Sequence, residues 1–323
     1  MSWVAEASSP EAGAIGLTDL LTGDRSAVLS VTHQLRATGF NVLDEVLSGG
    51  LAPEELVIVG GRPGVGKSVA LVQWARNLAH DGNQVVLACY EHSELVVMAQ
   101  LLLIEIGELV RSSIESVAAR GAVDRLISRR ASWNETLEAD PIVAEAAARL
   151  GAISDRITVL DRSGRTGGYD ALMSAAHRCA PDVLMVDHLQ KIDGNAARGA
   201  EFCKQLAVDS SATVVAAATT TEQGIADQRL RQPGLVDAAV LGHESDIEIL
   251  LNDKLSIVSR SHSAFDSVRA NEFRSQVIFS VEKNRRGSGD VDLEFTRDFG
   301  HRRFQTAGRF VTERLVDHVL VRE

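Results

Sequence analysis

The run Gly61-Arg62-Pro63-Gly64-Val65-Gly66-Lys67-Ser68 has the residue types and the spacing needed to hold a chain of phosphates. Its glycines let the backbone curl, so that successive N–H groups converge on one anion. A helix beginning there adds about half a positive charge at its N-terminus. Lys67 can reach β- and γ-phosphates, and the Ser68 hydroxyl can ligand Mg²⁺. The flanks agree with this reading. Leu56-Val57-Ile58-Val59 is short, apolar and branched, as a buried strand should be, and Val69 to Ala79 carries apolar residues at helical spacings. A glycine-rich turn with a chance lysine would not have both flanks right. The first expectation is therefore a bound nucleoside triphosphate.

Other residues have chemistry that such a ligand would use. Asp187 ends the apolar run Val183-Leu184-Met185-Val186, where a magnesium-holding carboxylate belongs. Glu91 follows the strand-like Val85 to Tyr90 and is placed to orient and deprotonate an attacking water. Glu94 is close enough to compete for that role. Lys283-Asn284-Arg285-Arg286-Gly287 follows another apolar run, and a pair of cations there could stabilise charge on a transferring phosphoryl group. The plain alternative is a basic hairpin turn in water. Arg229 and Arg231, and Lys191 and Arg198, lie in polar loops that could face a channel and touch phosphates. Ordinary solvated loop charge explains them equally well, and Asp193, Glu222 and Asp227 dilute their field. Arg125, Arg129 and Arg130 read as a solvated helix face.

These groups need a scaffold, and the sequence outlines one. Strands are expected at Leu56 to Val59, Val85 to Tyr90, Ile157 to Leu160, Val183 to Asp187, Thr213 to Ala217, Ile247 to Leu251, Leu255 to Val258 and Val277 to Val281. Residues 94 to 150 are mostly helical, with breaks at Trp133-Asn134 and Asp140-Pro141, and Asp170 to Cys179 is a helix. Alternation of strands and helices predicts an α/β fold with a mainly parallel, doubly covered sheet. The late strands lack intervening helices and are expected to pair antiparallel at one edge. Residues 1 to about 35 read as an arm, and the globular domain runs from there to residue 323. In the arm, Ser8-Ser9-Pro10 and Gly13 are loop-forming. Thr18 would cap a short helix carrying Leu20 and Leu21, after Ile15 and Leu17, and Gly23-Asp24 would end it. Such a helix either frays or docks on a neighbouring subunit.

Composition narrows the class. Of 323 residues 45% are hydrophobic but only 4% aromatic, so the core is expected to rest on Val, Leu, Ile and Ala. A net charge of −11 argues against a broad electrostatic footprint on nucleic acid, although a ring can concentrate a few basic residues in its channel. Cys89, Cys179 and Cys203 form no C-x-x-C pair and read as free thiols in a reducing compartment. The histidines form no metal-binding spacing. No secretion signal stands at the N-terminus, and the most apolar stretch, Leu95 to Val110, is interrupted by Gln100, Glu105, Gly107 and Glu108. A cytoplasmic protein without a membrane span is the expectation.

Read together, these motifs resemble the RecA-like motor domain of DnaB-type replicative helicases, from about Arg36 to Phe304. The resemblance rests on Thr38-Gly39-Phe40, Leu43-Asp44, Gly50-Leu51, the Gly61-Arg62-Pro63 entry and Ser163-Gly164. It also rests on Asp187-His188-Leu189-Gln190, similar to that family's D-Y-L-Q, and on Lys283-Asn284-Arg285, Leu293-Glu294-Phe295 and Arg303-Phe304. It implies ATP and Mg²⁺ as ligands, a P-loop NTPase fold, and a homo-oligomeric ring, usually a hexamer, with ATP between subunits. It assigns Glu91 as catalytic carboxylate, Asp187 as the Walker B acid, and Lys283 and Arg285 as cations supplied in trans. Gln190 would link the nucleotide to the channel. Single-stranded DNA and other replication or recombination proteins are the implied partners. RadA- and KaiC-type ATPases share the loop and a similar K-N-R, and an oligomer gated by nucleotide and acting on protein partners is the alternative function. The chain departs from the helicase pattern in several places. Only the short arm precedes the motor, Thr219 stands where a sensor glutamine is usual, and the segment after Gln190 is shortened. Ala238-Ala239-Val240 replaces a Ser-Gly-Ser-rich stretch. These departures leave ATP binding intact and bear on strand translocation.

Overall fold

Branched apolar runs become strands because their side chains fill both faces of a pleated, covered sheet. In the computed structural model, which describes residues 17–22, 34–258 and 267–316, they do so in the expected order. The chain divides into two units, residues 1–34 and 35–323. In the first, helix α1 spans Leu17–Thr22 and Thr18 lies inside it rather than ahead of it. The readings at Ser8-Ser9-Pro10, Gly13, Ile15 and Gly23-Asp24 fall outside the described residues.

The second unit begins with α2 (Asn41–Val46) and β1 (Leu56–Gly61) and continues through α3 (Lys67–His80), β2 (Val85–Cys89) and α4 (Glu94–Leu109). Next come α5 (Ser113–Ile127), α6 (Trp133–Ala139), α7 (Pro141–Gly151), β3 (Ile157–Asp161), α8 (Tyr169–Cys179), β4 (Val183–Asp187), α9 (Ala196–Ser210) and β5 (Thr213–Ala218). The remainder holds α10 (Glu222–Ala226), α11 (Ala238–Glu244), β6 (Ile247–Asp253), α12 (Lys254–Ile257), α13 (Ser267–Arg274), β7 (Gln276–Asn284), β8 (Val291–Asp298), β9 (Arg303–Phe304) and β10 (Arg309–Phe310). The strands form one sheet in the order β10-β8-β7-β6-β1-β5-β4-β2-β3, with β9 paired to β8. β1 runs parallel to β5 and β6, and β2 parallel to β3 and β4. β7, β8 and β10 add antiparallel at the β6 edge. The fold is α/β, RecA-like, with a mainly parallel sheet covered on both faces.

Capping residues punctuate the helical block after β2. Ser112 with Glu115 and Ser132 with Glu135 form reciprocal capping boxes, and the Asp140 carboxylate accepts from the Ile142 N–H with Pro141 at the first helical position. The last two are the places where the sequence showed breaks, whereas the break at Ser112 was not foreseen.

One expectation needs correcting. Leu255 to Val258 is a helical turn, not a strand. A four-residue apolar run carries no decisive period, and here an ion cluster decides: the wholly buried Lys254 ammonium reaches both Glu294 and Glu313. The core rests mainly on Val, Leu, Ile and Ala, as expected, and its few aromatics are gathered together. Phe40, Trp74, Phe279, Phe295 and Phe304 converge in one cluster, Phe40 lying with its ring centroid 5.0 Å from Phe295 and 5.9 Å from Trp74. Scarce rings gathered in one place give large buried area and edge-to-face contacts where the terminal strands meet α3. The Thr38-Gly39-Phe40…Asp44 motif serves this cluster. The Asp44 carboxylate accepts from the Thr38 N–H and hydroxyl and from the Gly39 N–H, fixing the turn that inserts Phe40.

Candidate active site

The turn between β1 and α3 is the loop foreseen in the sequence. Gly64 and Gly66 have φ of 80° and 113°, in the region open to glycine. All six residues of β1 are buried, so the strand end that launches the loop is rigid. The Lys67 ammonium folds back on the carbonyls of Gly61 and Arg62, at 2.7 and 3.3 Å. Burial pushes its pKa down, while Asp187 and Glu91 pull it up. Those attractions place all three groups in one electrostatic neighbourhood.

A cleft of about 320 Å³ opens over the loop. Pro63, Gly64, Gly66, Lys67, Ser68 and Val69 form its floor, and Glu91, His92, Gln100, His188, Thr219, Phe299 and Arg302 its walls. Adjacent parallel strands bring the acids together: Cys89 is in register with Asp187, and the Tyr90 N–H donates to the Asp187 carbonyl at 2.8 Å. Glu91 therefore lies on the cleft. Glu94, the competing acid, instead lines a separate open groove with Met98, Arg129 and Arg130. Asp187 is 3% exposed and its buried Oδ1 has no hydrogen-bond partner. A buried carboxylate oxygen that accepts no hydrogen bond, with the His188 imidazole near it at 3.5 Å, suits a cation's hydration shell, as an indirect Mg²⁺ ligand opposite Ser68 requires. Gln190 lies in a 3₁₀ turn after β4, with both amide atoms buried and without hydrogen-bond partners.

The other expected residues are placed differently. Arg62 turns away from the cleft and donates to the carbonyls of Gly224 and Asp227, pinning the α10 segment to the loop. Val65 is buried in the core. Lys283 and Arg285 do not line the cleft. Lys283 donates to the carbonyls of Gly242 and Ser245, and Arg285 pairs with Asp246 at 3.1 Å while donating to the His243 carbonyl. Strand register explains the separation. Asn284 faces Ile247, which faces Val57 at the start of β1, whereas the loop leaves from Gly61 at its end. The two cations thus stand about 13 Å along the strands from the phosphate loop, toward the opposite end of the strands. Arg286 holds their turn in place through Glu55 and the carbonyls of Leu47 and Gly50. Arg229 is not a channel cation: it is 6% exposed and paired with Asp292 and the Ser280 hydroxyl. Arg231 pairs with Glu282 and Asp290.

The sequence did not announce Gln100, Phe299 or Arg302 as cleft residues. Phe299 and Phe304 press on the loop so closely that a Cβ on Gly66 would lie 2.9 and 2.6 Å from their rings. Arg302, with φ of 52°, shares with Phe299 and Gln100 a second cavity of about 150 Å³ adjoining the cleft. The available signal was the basic pair Arg302-Arg303 shortly after an aromatic residue. Among the described residues no helix is long and apolar enough to cross a membrane. Cys89 and Cys203 are buried thiols whose pKa values desolvation pushes up to about 12.

Comparison with known proteins extends this picture. Residues 36–305 match the family described as DnaB-like helicase C terminal domain. One solved ATPase domain has a similar structure, with a TM-score of 0.67 at 16% identity, over 90% of this chain and 99% of that one. A DnaB-like replicative helicase studied with its interactions with primase gives 0.65, also at 16% identity, over 93% of this chain and 68% of that one. At such identity the likeness shows the fold. Among curated sequences, the DNA repair protein RadA of Campylobacter jejuni is 48% identical over 58 residues, and that of Aquifex aeolicus 36% over 80. The matches span only 13% and 18% of those two proteins' lengths. Because the family match runs through the phosphate loop, both acids and the basic turn, the chain belongs to the DnaB-like helicase C-terminal domain family.

Proposed function

We propose that this chain binds Mg²⁺-ATP in the Gly61–Ser68 cleft and hydrolyses it at a pocket that an adjacent copy completes, driving a hexameric ring along single-stranded DNA. One observation carries the reading: the phosphate loop and the Lys283–Arg285 turn lie at opposite ends of the strands of the same sheet. One chain cannot bring both to one nucleotide, whereas copies arranged head to tail can. Lys67 would hold β- and γ-phosphate oxygens. Glu91 would orient the attacking water and take its proton, and Lys283 and Arg285 of the neighbour would meet the charge that develops on the phosphoryl group. A magnesium ion held by Ser68 and, through water, by Asp187 would supply charge neutralisation. Gln190 and the Arg62 link to Gly224 and Asp227 offer routes from the nucleotide to the loops that follow β4 and β5. Gln100, Phe299 and Arg302, on the wall of the cleft, would flank the bound nucleotide. Residues 36–323 would form the ATPase domain. Residues 1–35 would form an arm docking through α1, whose Leu17 and Leu21 are 70% and 61% exposed. Replication or recombination proteins are the expected partners.

The deciding measurement is ATP turnover and particle mass, each with and without single-stranded DNA, at two salt concentrations. Stimulation by DNA, a clear salt slope and loss of turnover in Lys67→Ala are expected. A folded chain with no magnesium-dependent affinity for ATP would overturn the reading. ATP-dependent assembly that ignores DNA at low salt would remove the strand-moving part of it.

A further inference from the structure

The cleft contains a group that the roles above leave unused. His188 follows Asp187 directly, its side chain is 8% exposed, and it lines the same wall as Glu91. Its Nε2 lies 3.1 Å from Glu91 Oε2 and 3.5 Å from Asp187 Oδ1. We propose that His188 is a positioning residue for Glu91, its imidazole N–H holding one carboxylate oxygen so that the other is aimed at the attacking water. This inference rests on the ATPase reading of the cleft.

The need for such a group follows from the geometry. The Glu91 side chain is 47% exposed and sits just beyond the end of β2. A half-exposed glutamate samples several rotamers, and fixing it costs conformational freedom. A base that must line up a water with a phosphorus atom works from only one of those rotamers. Among the described residues the His188 imidazole is the group in close contact with the Glu91 carboxylate, and the Lys67 charge attracts it as well.

The imidazole is well anchored for this task. Cys89 and Asp187 face each other across paired strands, and the Tyr90 N–H donates to the Asp187 carbonyl. The backbone segments that carry Glu91 and His188 are therefore joined within a residue of both side chains. A carboxylate can only accept, so in this role the proton sits on Nε2, while the buried Nδ1 has no hydrogen-bond partner. Standing between two acids, the N–H also separates Asp187, on the metal side, from Glu91, on the water side. In the D-Y-L-Q pattern this place holds tyrosine, so the arrangement belongs to this chain's own sequence.

The test uses the full-length chain and steady-state ATP turnover. His188→Ala should lower kcat by about tenfold or more. KM, and the affinity for a non-hydrolysable ATP analogue, should stay as in the wild type. Glutamine places its amide donor near the Nε2 position and asparagine near Nδ1, so His188→Gln should retain most of the rate and His188→Asn should resemble alanine. Glu91→Asp withdraws the carboxylate from the imidazole, so adding His188→Ala to it should cost little more. An unchanged kcat in His188→Ala, a parallel loss of analogue affinity, or asparagine outperforming glutamine overturns the proposal. Should His188→Ala fail to fold, the glutamine–asparagine order decides. A wild-type chain with no ATP turnover overturns the parent reading and this one with it. An active wild type with an indifferent His188 overturns this one alone.

Discussion

At Gly66 backbone freedom and close approach are needed together. Its φ of 113° suits glycine, and the rings of Phe299 and Phe304 fill the space a side chain would take. Gly66→Ala should destabilise the chain by about 1–3 kcal/mol and weaken ATP binding, read by thermal melting and a fluorescent-nucleotide titration. Unchanged melting and affinity would show that the loop is not gripped as described. The same residue marks how far the sequence could be read. Gly61 to Ser68 was legible because its chemistry is local: every group that curls the loop lies within one motif. Asp187 and Glu91 were legible as acids ending apolar runs. Phe299, Arg302 and Gln100 were not, because they come from other elements and no spacing in the chain ties them to Lys67. His188 was visible as a departure from a pattern, but its 3.1 Å approach to Glu91 exists only once β2 and β4 pair.

Helix α4 shows the same division at the level of elements. Its apolar run was recognised, and so were the polar residues that interrupt it, but their purpose was not. Gln100 faces the cleft, Glu108 pairs with Arg303, and the wholly buried Glu105 takes both Arg76 nitrogens at 2.7 and 2.9 Å and His80 at 2.8 Å. Each interruption meets a different neighbour, which composition along one helix cannot reveal. Burial alone would raise the Glu105 pKa, but the Arg76 hydrogen bonds and charge, with His80, bring it below the ordinary 4.5. A carboxylate with a depressed folded pKa adds stability above its unfolded pKa and loses it as pH falls through the folded value. Glu105→Gln should therefore cost about 3–5 kcal/mol near neutrality, with the gap to wild type closing below pH 4.5. Denaturant melts at neutral pH and at pH 4 measure this, and a gap that does not narrow would refute it. Strand positions were read well where β-branched runs were long. Leu255 to Val258 failed because four apolar residues fit a helical turn as well as a strand, and only the distant Glu294 and Glu313 draw Lys254 into the turn.

For the whole molecule, charge and fold pull apart. A net charge of −11 suggested little affinity for nucleic acid, yet the family match places the chain among helicase domains. Net charge sums a whole surface, whereas a ring presents only its inner face. Mixing inactive chains tests the arrangement directly. Lys67→Ala and Arg285→Ala should each lack turnover alone, and co-assembled they should regain part of it, because some junctions then carry both intact groups. No recovery at any mixing ratio would mean that the basic turn does not serve a neighbour. The resemblance implies supply in trans, and the strand register supports it, since Asn284 lies level with the start of β1 across β6. A contact of that kind has a direction: one face gives and the other receives. An open row of n chains then holds n − 1 finished pockets and one that stays idle, and only closing the row puts the last to use. Specific activity per chain should thus climb with concentration until circles predominate, and then stop climbing.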